Sequence, residues 1–531
     1  MATRSDASVK RLTLIACVMG SGVVLLDGSV VNVALPTIQR TLGGGLAAQQ
    51  WMINSYLLTL GSLILIGGSL GDLYGERRIF ALGVSGFGAA SLLCALSPSI
   101  TVLVIARALQ GIAGALLVPS SLAVIVNTFP ESERGGAIGT WTAWGAISGV
   151  LGPLLGGELL AIASWRWIFL INLPLVIACL SLILIVLPRS ARRKADARRL
   201  DLTGALLCAL GLGGPVFALI EQPRLGWSSP AVILPLVAGV AIFLAFLVWE
   251  SRTPDPMLPL GLFRRRNFAA GNIETFAMYA GLAILFFFLV LFLQQIAGFS
   301  PIKSGLTTLP VTVVMFVFSR RFGALADRFG PRLFMGAGPV VAACGLLLFQ
   351  RVGVHVDYFS DLLPGLLVFG LGLSMTVAPL TAAVLAGAET SQAGIASGVN
   401  NAIARVAGLL GTAAVGAAIA GSFAADLNRR LSGAALGGAA RGAVAAAKRL
   451  PLGRPDVHGL PPAQARALST AAEQASLHSF HLGMAIAAGL VALGGVVGVV
   501  GIRNQSASSV HAAECAGGQL VGVSSPHVSS A

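Results

Sequence analysis

Apolar runs of about twenty residues recur from one end of this chain to the other, each long enough to cross a ~30 Å hydrocarbon layer. A backbone in lipid must satisfy its own polar groups, so these runs predict helices. Six fall at approximately 12–35, 48–70, 79–97, 101–128, 137–161 and 167–187, and two more at 202–221 and 230–249. The last six fall at 268–297, 305–322, 333–350, 362–386, 394–421 and 480–502. About fourteen spans put both termini on one side. Only 11% of the residues are charged, against about 25% in soluble chains, so most of the surface faces something other than water. The expected fold class is an all-α integral membrane protein.

The formal charge of +14 points to no nucleic acid, because the basic residues sit in short loops where anionic membrane lipids attract them. Of 35 lysines and arginines, 21 fall on the side of the termini and 12 on the other, with Arg107 and Arg405 inside spans. Seven of those twelve lie in one Ala/Gly-rich segment, about 422–479, expected as a long extracytoplasmic loop. Setting it aside leaves a positive-inside signal that places both termini in the cytoplasm. Arg189–Arg199 reads as a basic cytoplasmic linker, and the Ser-rich tail after Arg503 as disordered. Cys17, Cys94, Cys179, Cys208 and Cys344 lie in apolar runs without metal-ligand or paired spacing, and read as small buried residues. The first run continues through Pro36 without a cleavage site, so it is not expected to be a removable signal peptide.

One motif occurs twice. Gly68-Ser-Leu-Gly-Asp72-Leu-Tyr-Gly75-Glu-Arg-Arg78 closes the second span, and Gly323-Ala-Leu-Ala-Asp327-Arg-Phe-Gly330-Pro-Arg332 closes the tenth. A repeat shifted by eight spans implies two six-helix units with two helices inserted between them, a plan built on parallel repeats. The expected divisions are 1–188, 189–266 for the linker and inserted helices, 267–503, and the tail 504–531.

These loops resemble the signature of the major facilitator superfamily. Leu26-Asp27-Gly-Ser-Val-Val-Asn32-Val-Ala-Leu-Pro36, Arg107-Ala-Leu-Gln110-Gly111, Gly149-Val-Leu-Gly152-Pro153-Leu-Leu-Gly156-Gly157 and Trp165-Arg-Trp-Ile-Phe-Leu-Ile-Asn172-Leu-Pro174 resemble motifs of its fourteen-helix drug/proton antiporter branch, the QacA/EmrB-like exporters. Leu73 and Glu76 depart from the basic residues usual in the first loop. The resemblance implies alternating access, a central cavity bordered by the first and fourth helices, and export of small compounds against protons. Asp72 and Asp327 would then act as gate latches, each gaining ~0.3–1 kcal/mol from a facing helix dipole.

An ionisable group at membrane depth costs ~2.5–3.5 kcal/mol on insertion scales and is a functional candidate for that reason. Asp27 lies ~15 residues, or ~22 Å, into a helix rising from the cytoplasm; Arg107 lies ~6 residues, or ~9 Å, into one descending from outside. Both then fall ~8–9 Å below the outer surface, so they are expected to pair, with Asp27 exchanging protons and Arg107 tuning it. A static buried ion pair is the alternative. Gln110 shares the face of Arg107 at i, i+3 and positions it or touches substrate. Glu274, ~7 residues into the ninth span, is a second proton or substrate candidate, with Arg405 within possible reach at a poorer depth match. Asn400 and Asn401 are expected to make packing hydrogen bonds. Glu158 and Glu221, near outer helix ends, are expected to be solvated. Gly145, Gly149, Gly152 and Gly156, with Pro153 and Gly157 beside them, form a smooth stripe on a bent fifth helix.

The chain carries no Walker A, H-E-x-x-H or Gly-x-Ser-x-Gly motif and no cysteine cluster, so neither ATP-driven transport nor an enzyme is expected, nor any cofactor or metal. The leading expectation is a monomeric proton-coupled exporter of small lipophilic or cationic compounds in the cytoplasmic membrane, its partners being substrate, protons and lipid. Few membrane acids are present, which argues against multiply charged cations. A dedicated exporter of one metabolite or antibiotic, and a non-transporting scaffold or sensor, are the alternatives.

Overall fold

The structure, a computed structural model, describes residues 6–187, 200–386, 393–434 and 436–504. The expected basic linker and the tail beyond Asn504 lie outside the described residues. The first half comprises α1 (Asp6–Leu42), α2 (Leu46–Tyr74), α3 (Glu76–Ala95), α4 (Ile100–Thr128), α5 (Glu131–Ile162), α6 (Trp167–Leu170) and α7 (Asn172–Val186). Two further helices follow, α8 (Leu202–Leu225) and α9 (Pro230–Arg252). The second half comprises α10 (Arg266–Gln295), α11 (Pro301–Thr307), α12 (Leu309–Phe329), α13 (Pro331–Leu348), α14 (Leu363–Ala386), α15 (Ala393–Leu431), α16 (Gly438–Ala447) and α17 (Pro462–Gly501). Among the described residues thirteen stretches are long and apolar enough to cross a membrane, and α5, at 32 residues, is longer than the ~20 a bilayer requires.

Proline explains where expected spans break. Its ring collides with the carbonyl four residues back and it has no N–H to donate. Pro174 therefore separates α6 from α7, and Pro310 separates α11 from α12; α14 begins at Leu363 after a wider turn at Tyr358–Leu362, just before Pro364.

The segment expected as a loop at 422–479 is largely helical. Alanine is the strongest helix former, and α15 and α17 continue past their membrane runs as an antiparallel pair. Phe423, Leu427 and Leu431 pack there against Leu468, Ala471, Ala472 and Ala475. Only 432–461 remains as a connection, and α16 lies within it.

The sequence repeat is also a repeat of geometry. Gly75 ends α2 and starts α3 with φ 92° and ψ 125°, and Gly330 joins α12 to α13 with φ 87° and ψ 149°. Side chains are strained at such positive φ, which accounts for glycine at both sites. The arginine two residues on acts alike in each half. Arg77 Nη2 donates to the Leu184 carbonyl near the end of α7 (2.9 Å), and Arg332 Nε to the Val499 carbonyl near the end of α17 (2.6 Å). A cation at a helix C-terminus complements its dipole. The residue equivalent to Arg332 is thus Arg77, rather than the Arg78 singled out from the sequence.

α8 and α9 pack on each other, and α8 leans on α2 and α15 from opposite halves. The hydrogen bonds that join the halves gather on the face away from the termini. Gln50 Nε2 donates to the Thr412 carbonyl (2.6 Å), Thr412 Oγ1 to Asn54 (3.1 Å) and Gln294 Nε2 to the Val33 carbonyl (2.9 Å). α5 meets α11 there without side chains between them. A Cβ on Gly157 would lie 2.4 Å from Ile302 Cα, and one on Gly305 would lie 2.6 Å from the Pro153 carbonyl. The assembly is closed on that face.

The glycine stripe of α5 serves close approach to α1. A Cβ on Gly152 would stand 1.8 Å from Ser29 Oγ and 3.0 Å from the Leu26 carbonyl, and one on Gly156 3.1 Å from Val30. Gly145 faces Leu25 at 3.1 Å, while the packing at Gly149 lies outside what the structure describes. Gly152→Val is expected to cost ~1–3 kcal/mol through overpacking. A fall in melting temperature and in monodisperse yield on size-exclusion chromatography checks this, and wild-type behaviour would contradict it.

Candidate functional site

α4 starts at Ile100 because Ser99 caps it, its hydroxyl accepting from Val102 N at 3.4 Å. This register places Arg107 and Gln110 on one face. Gly111 then lets α4 press onto α2, since a Cβ there would meet Thr59 Oγ1 at 2.1 Å and the Tyr56 carbonyl at 2.4 Å. That approach sets the Tyr56 ring under the Arg107 guanidinium, 4.3 Å from its centre.

Asp27 of α1 completes the cluster. Its Oδ2 accepts from Arg107 Nη1, and its Oδ1 from Gln110 Nε2 (2.9 Å) and Asn172 Nδ2 (3.0 Å). Arg107 also donates from Nη1 to Gln110 Oε1 (2.7 Å) and from Nε to the Met52 carbonyl (3.1 Å). Gln110 and Asn172 both donate to Ser91 Oγ, at 2.9 and 3.3 Å. α1, α2, α3, α4 and α7 all contribute, and Asp27, Gln110, Asn172 and Ser91 are 0% exposed, Arg107 1%. The expected pairing of Asp27 with Arg107 is present. Gln110 holds both partners and does not face a cavity. Tyr56, Ser91 and Asn172 are members that sequence reasoning gave no role; Asn172 stood inside a quoted motif, and Ser91 is a lone hydroxyl in an apolar run.

The opposite face of α1 looks into a groove between the halves. One cavity of about 110 Å³ is lined by Ser29, Asn32 and Val33 of α1, Pro153 of α5, Phe286 and Val290 of α10, and Thr308 and Thr312. A second of about 110 Å³ shares Phe286 and Thr312 and adds Tyr279, Met315 and Leu373. Hydroxyls and one amide are set there among aromatic and aliphatic walls, so the groove is amphiphilic.

Glu274 does not meet Arg405. It is 0% exposed and neither carboxyl oxygen has a partner. A Cβ on Gly498 of α17 would stand 2.8 Å from Glu274 Oε2, so the side chain points between α10 and α17. Arg405 lies half-buried on another helix, its Cβ 3.3 Å from where a Gly61 side chain would begin. Depth arithmetic places groups along the membrane normal but says nothing about the direction they face. Asn400 donates to Asn272 (3.1 Å) and Thr275 (2.7 Å), a packing contact as expected. Glu221, expected to be solvated, is partly buried and accepts from Trp51 Nε1 (3.1 Å) and Arg224 (2.9 Å). Cys344, expected to be buried, is exposed. A Cβ on Gly68 or Gly323 would make only ordinary contacts, 3.7 Å from Pro119 and 3.6 Å from Ala378. The side chains of Asp72 and Asp327 lie outside the described residues.

Two equivalent helical halves, closed on one face around an amphiphilic groove, define a multi-pass membrane transporter of small molecules. The chain belongs to the Major Facilitator Superfamily, whose model matches residues 17–412. It is 39% identical to the puromycin resistance protein pur8 of Streptomyces alboniger over 76% of this chain and 80% of that one. It is 36% identical to the multidrug resistance protein Stp of Mycobacterium tuberculosis (79% and 78%), and 34% to the tetracenomycin C resistance and export protein of Streptomyces glaucescens (77% and 76%). Its fold is similar to a bacterial homologue of the lysosomal transporter Spinster in an inward-facing conformation, with TM-score 0.61 and 15% identity over 96% of this chain and all of that one.

Truncating one member of a buried ion pair strands the other charge, at ~3–5 kcal/mol. Arg107→Ala should therefore lower the melting temperature sharply, and adding Asp27→Leu should recover part of the loss. Equal stability of Arg107→Ala and wild type would contradict the buried pair.

Proposed function

We propose that this transporter is a proton-coupled exporter of small lipophilic or cationic compounds across the cytoplasmic membrane, with both termini in the cytoplasm. The observation that carries the reading is the sealed Asp27–Arg107–Gln110–Asn172 network. Every group bonded to the Asp27 carboxylate is a donor. A protonated Asp27 puts an O–H where a donor now points, so proton binding breaks a bond to Arg107, Gln110 or Asn172, and the one buried acceptor left without a partner in the ring is Asn172 Oδ1. It also removes the charge that offsets the buried guanidinium.

α1 carries this change toward the substrate. Asp27 faces into the first half, while Ser29, Asn32 and Val33 on the same helix line the inter-half groove. Asn32 lies five residues, or ~7.5 Å, along the helix from Asp27. A shift of α1 on the glycine face of α5 alters groove and closure together. The smooth contact of α5 with α11 would open as the halves rock, and the turns at Gly75 and Gly330, with Asp72 and Asp327, would latch the cytoplasmic face. The excess of lysine and arginine on the termini side supports this orientation.

A narrower reading, export of one antibiotic or metabolite, draws support from relatives named for single compounds, puromycin and tetracenomycin C. Breadth of protection in a resistance panel separates the two.

In proteoliposomes with an imposed pH gradient, Asp27→Asn is expected to abolish uphill substrate movement while leaving downhill exchange. Undiminished proton-driven movement by folded Asp27→Asn would remove Asp27 from the mechanism.

A further inference from the structure

The inserted helices carry a buried pair of carboxylates at their foot. Asp201 caps α8, its Oδ1 accepting from Gly204 N and from Trp249 Nε1, each at 2.8 Å. Glu250 sits in the last turn of α9, its Oε2 accepting from Leu258 N at 2.9 Å. Asp201 is 9% exposed and Glu250 3%. The second oxygen of each, Asp201 Oδ2 and Glu250 Oε1, has no donor. These two oxygens converge: a Cβ on Gly204 would stand 2.3 Å from one and 2.6 Å from the other. Both bare oxygens therefore face the same point beside Gly204.

Two ionised carboxylates so placed repel in a low-dielectric setting, and neither oxygen could donate to the other. A single proton between them turns the contact into a hydrogen bond. No cation supplies the alternative among the described residues. On α9, Arg252 is exposed; on α8, Cys208 is a neutral thiol near Glu250, and Glu221 and Arg224 pair with each other at the far end. On α15, Arg405 lies against Gly61 of α2, while Asp426 pairs with Arg429 and Arg430 at the far end. α2 adds only Asp72, an acid, and the connection to α10 carries Asp255, another acid, and beyond Leu262 Arg264 and Arg265, neither of which acts on Glu250.

We propose that Asp201 and Glu250 form a proton-binding site, in which one shared proton latches the segment 253–259 to the foot of the inserted helices. That segment leads into the second half. Glu250 holds Leu258 by its N–H, and Leu258 packs on the cluster of Leu262 and Phe268. The site gives α8 and α9 a role apart from spanning the bilayer: they make the join between the halves sensitive to protons on the face of the termini. It is independent of the Asp27 network and of any substrate.

The sign follows from where the proton sits. The latch is closed with the proton bound and opens as pH rises through the titration of the pair, the open fraction growing about tenfold per pH unit for one proton lost. Trypsin cleavage after Arg252 reports opening in purified full-length protein, normalised to a free peptide substrate to remove the protease's own pH dependence. Wild type should show that slope. Glu250→Gln, whose amide supplies the missing donor, should be cleaved slowly at every pH, and Glu250→Ala quickly at every pH. In infrared difference spectra, the carbonyl band of a titrating carboxylic acid should vanish in both Glu250→Gln and Asp201→Asn. A flat wild-type profile, or a pH-dependent rise that persists in Glu250→Gln, overturns the proposal. So does closure at high pH by added calcium, which would make the pair a metal site. The assay uses neither substrate nor gradient, so its failure leaves the export reading untouched.

Discussion

An arginine and an aspartate held entirely out of water constrain the first half of this protein more than any apolar contact does. Removing two charges from water costs several kcal/mol per ion even after relaxation, and the attraction between them offsets this only with close geometry and further hydrogen bonds. Here the geometry is supplied by Gln110, Asn172, Ser91, the Met52 carbonyl and the face of Tyr56. Each comes from a helix whose position is thereby fixed. A hydrophobic cluster would hold the same helices as well, so stability alone does not account for the ions.

The pair sits on one side of α1 and the amphiphilic groove on the other. Glycine lets that helix lie close to its neighbours. Gly152 and Gly156 of α5 receive Ser29 and Val30, and Gly111 of α4 admits α2. Where side chains would interlock, backbones meet instead, and surfaces of that kind slide more readily than packed leucines. The closed face is built likewise, from Gly157 against Ile302 and Gly305 against Pro153. A rigid charge cluster within the first half and smooth glycine contacts between the helices around it are a mechanical division that suits the proposed movement.

Much of this was legible in the sequence, for identifiable reasons. Apolar run length reports span count because the bilayer sets a fixed thickness, and the doubled loop motif reported the repeat because the turns need glycine at positive φ. The depths of Asp27 and Arg107 matched because residue count along a helix converts directly into rise. Direction around a helix was not legible: Glu274 and Arg405 lie at workable depths yet on unrelated faces. The extension of α15 and α17 beyond the membrane was missed because an Ala/Gly-rich segment without long apolar runs reads as a loop, although alanine favours helix and a few residues such as Phe423 and Leu468 suffice to pair it. Asp201 and Glu250 were invisible as a pair, since 48 residues of two helices separate them.

The central claim is that proton occupancy at Asp27 and occupancy of the groove are linked through α1. Linkage is reciprocal, so substrate binding must move the proton equilibrium of the site. The direct measurement is proton release from purified, weakly buffered protein on addition of a compound it exports, followed with a pH-sensitive dye. Release that saturates with substrate binding in wild type and disappears in Asp27→Asn is expected. Substrate binding without release, or the same release from Asp27→Asn, would contradict it.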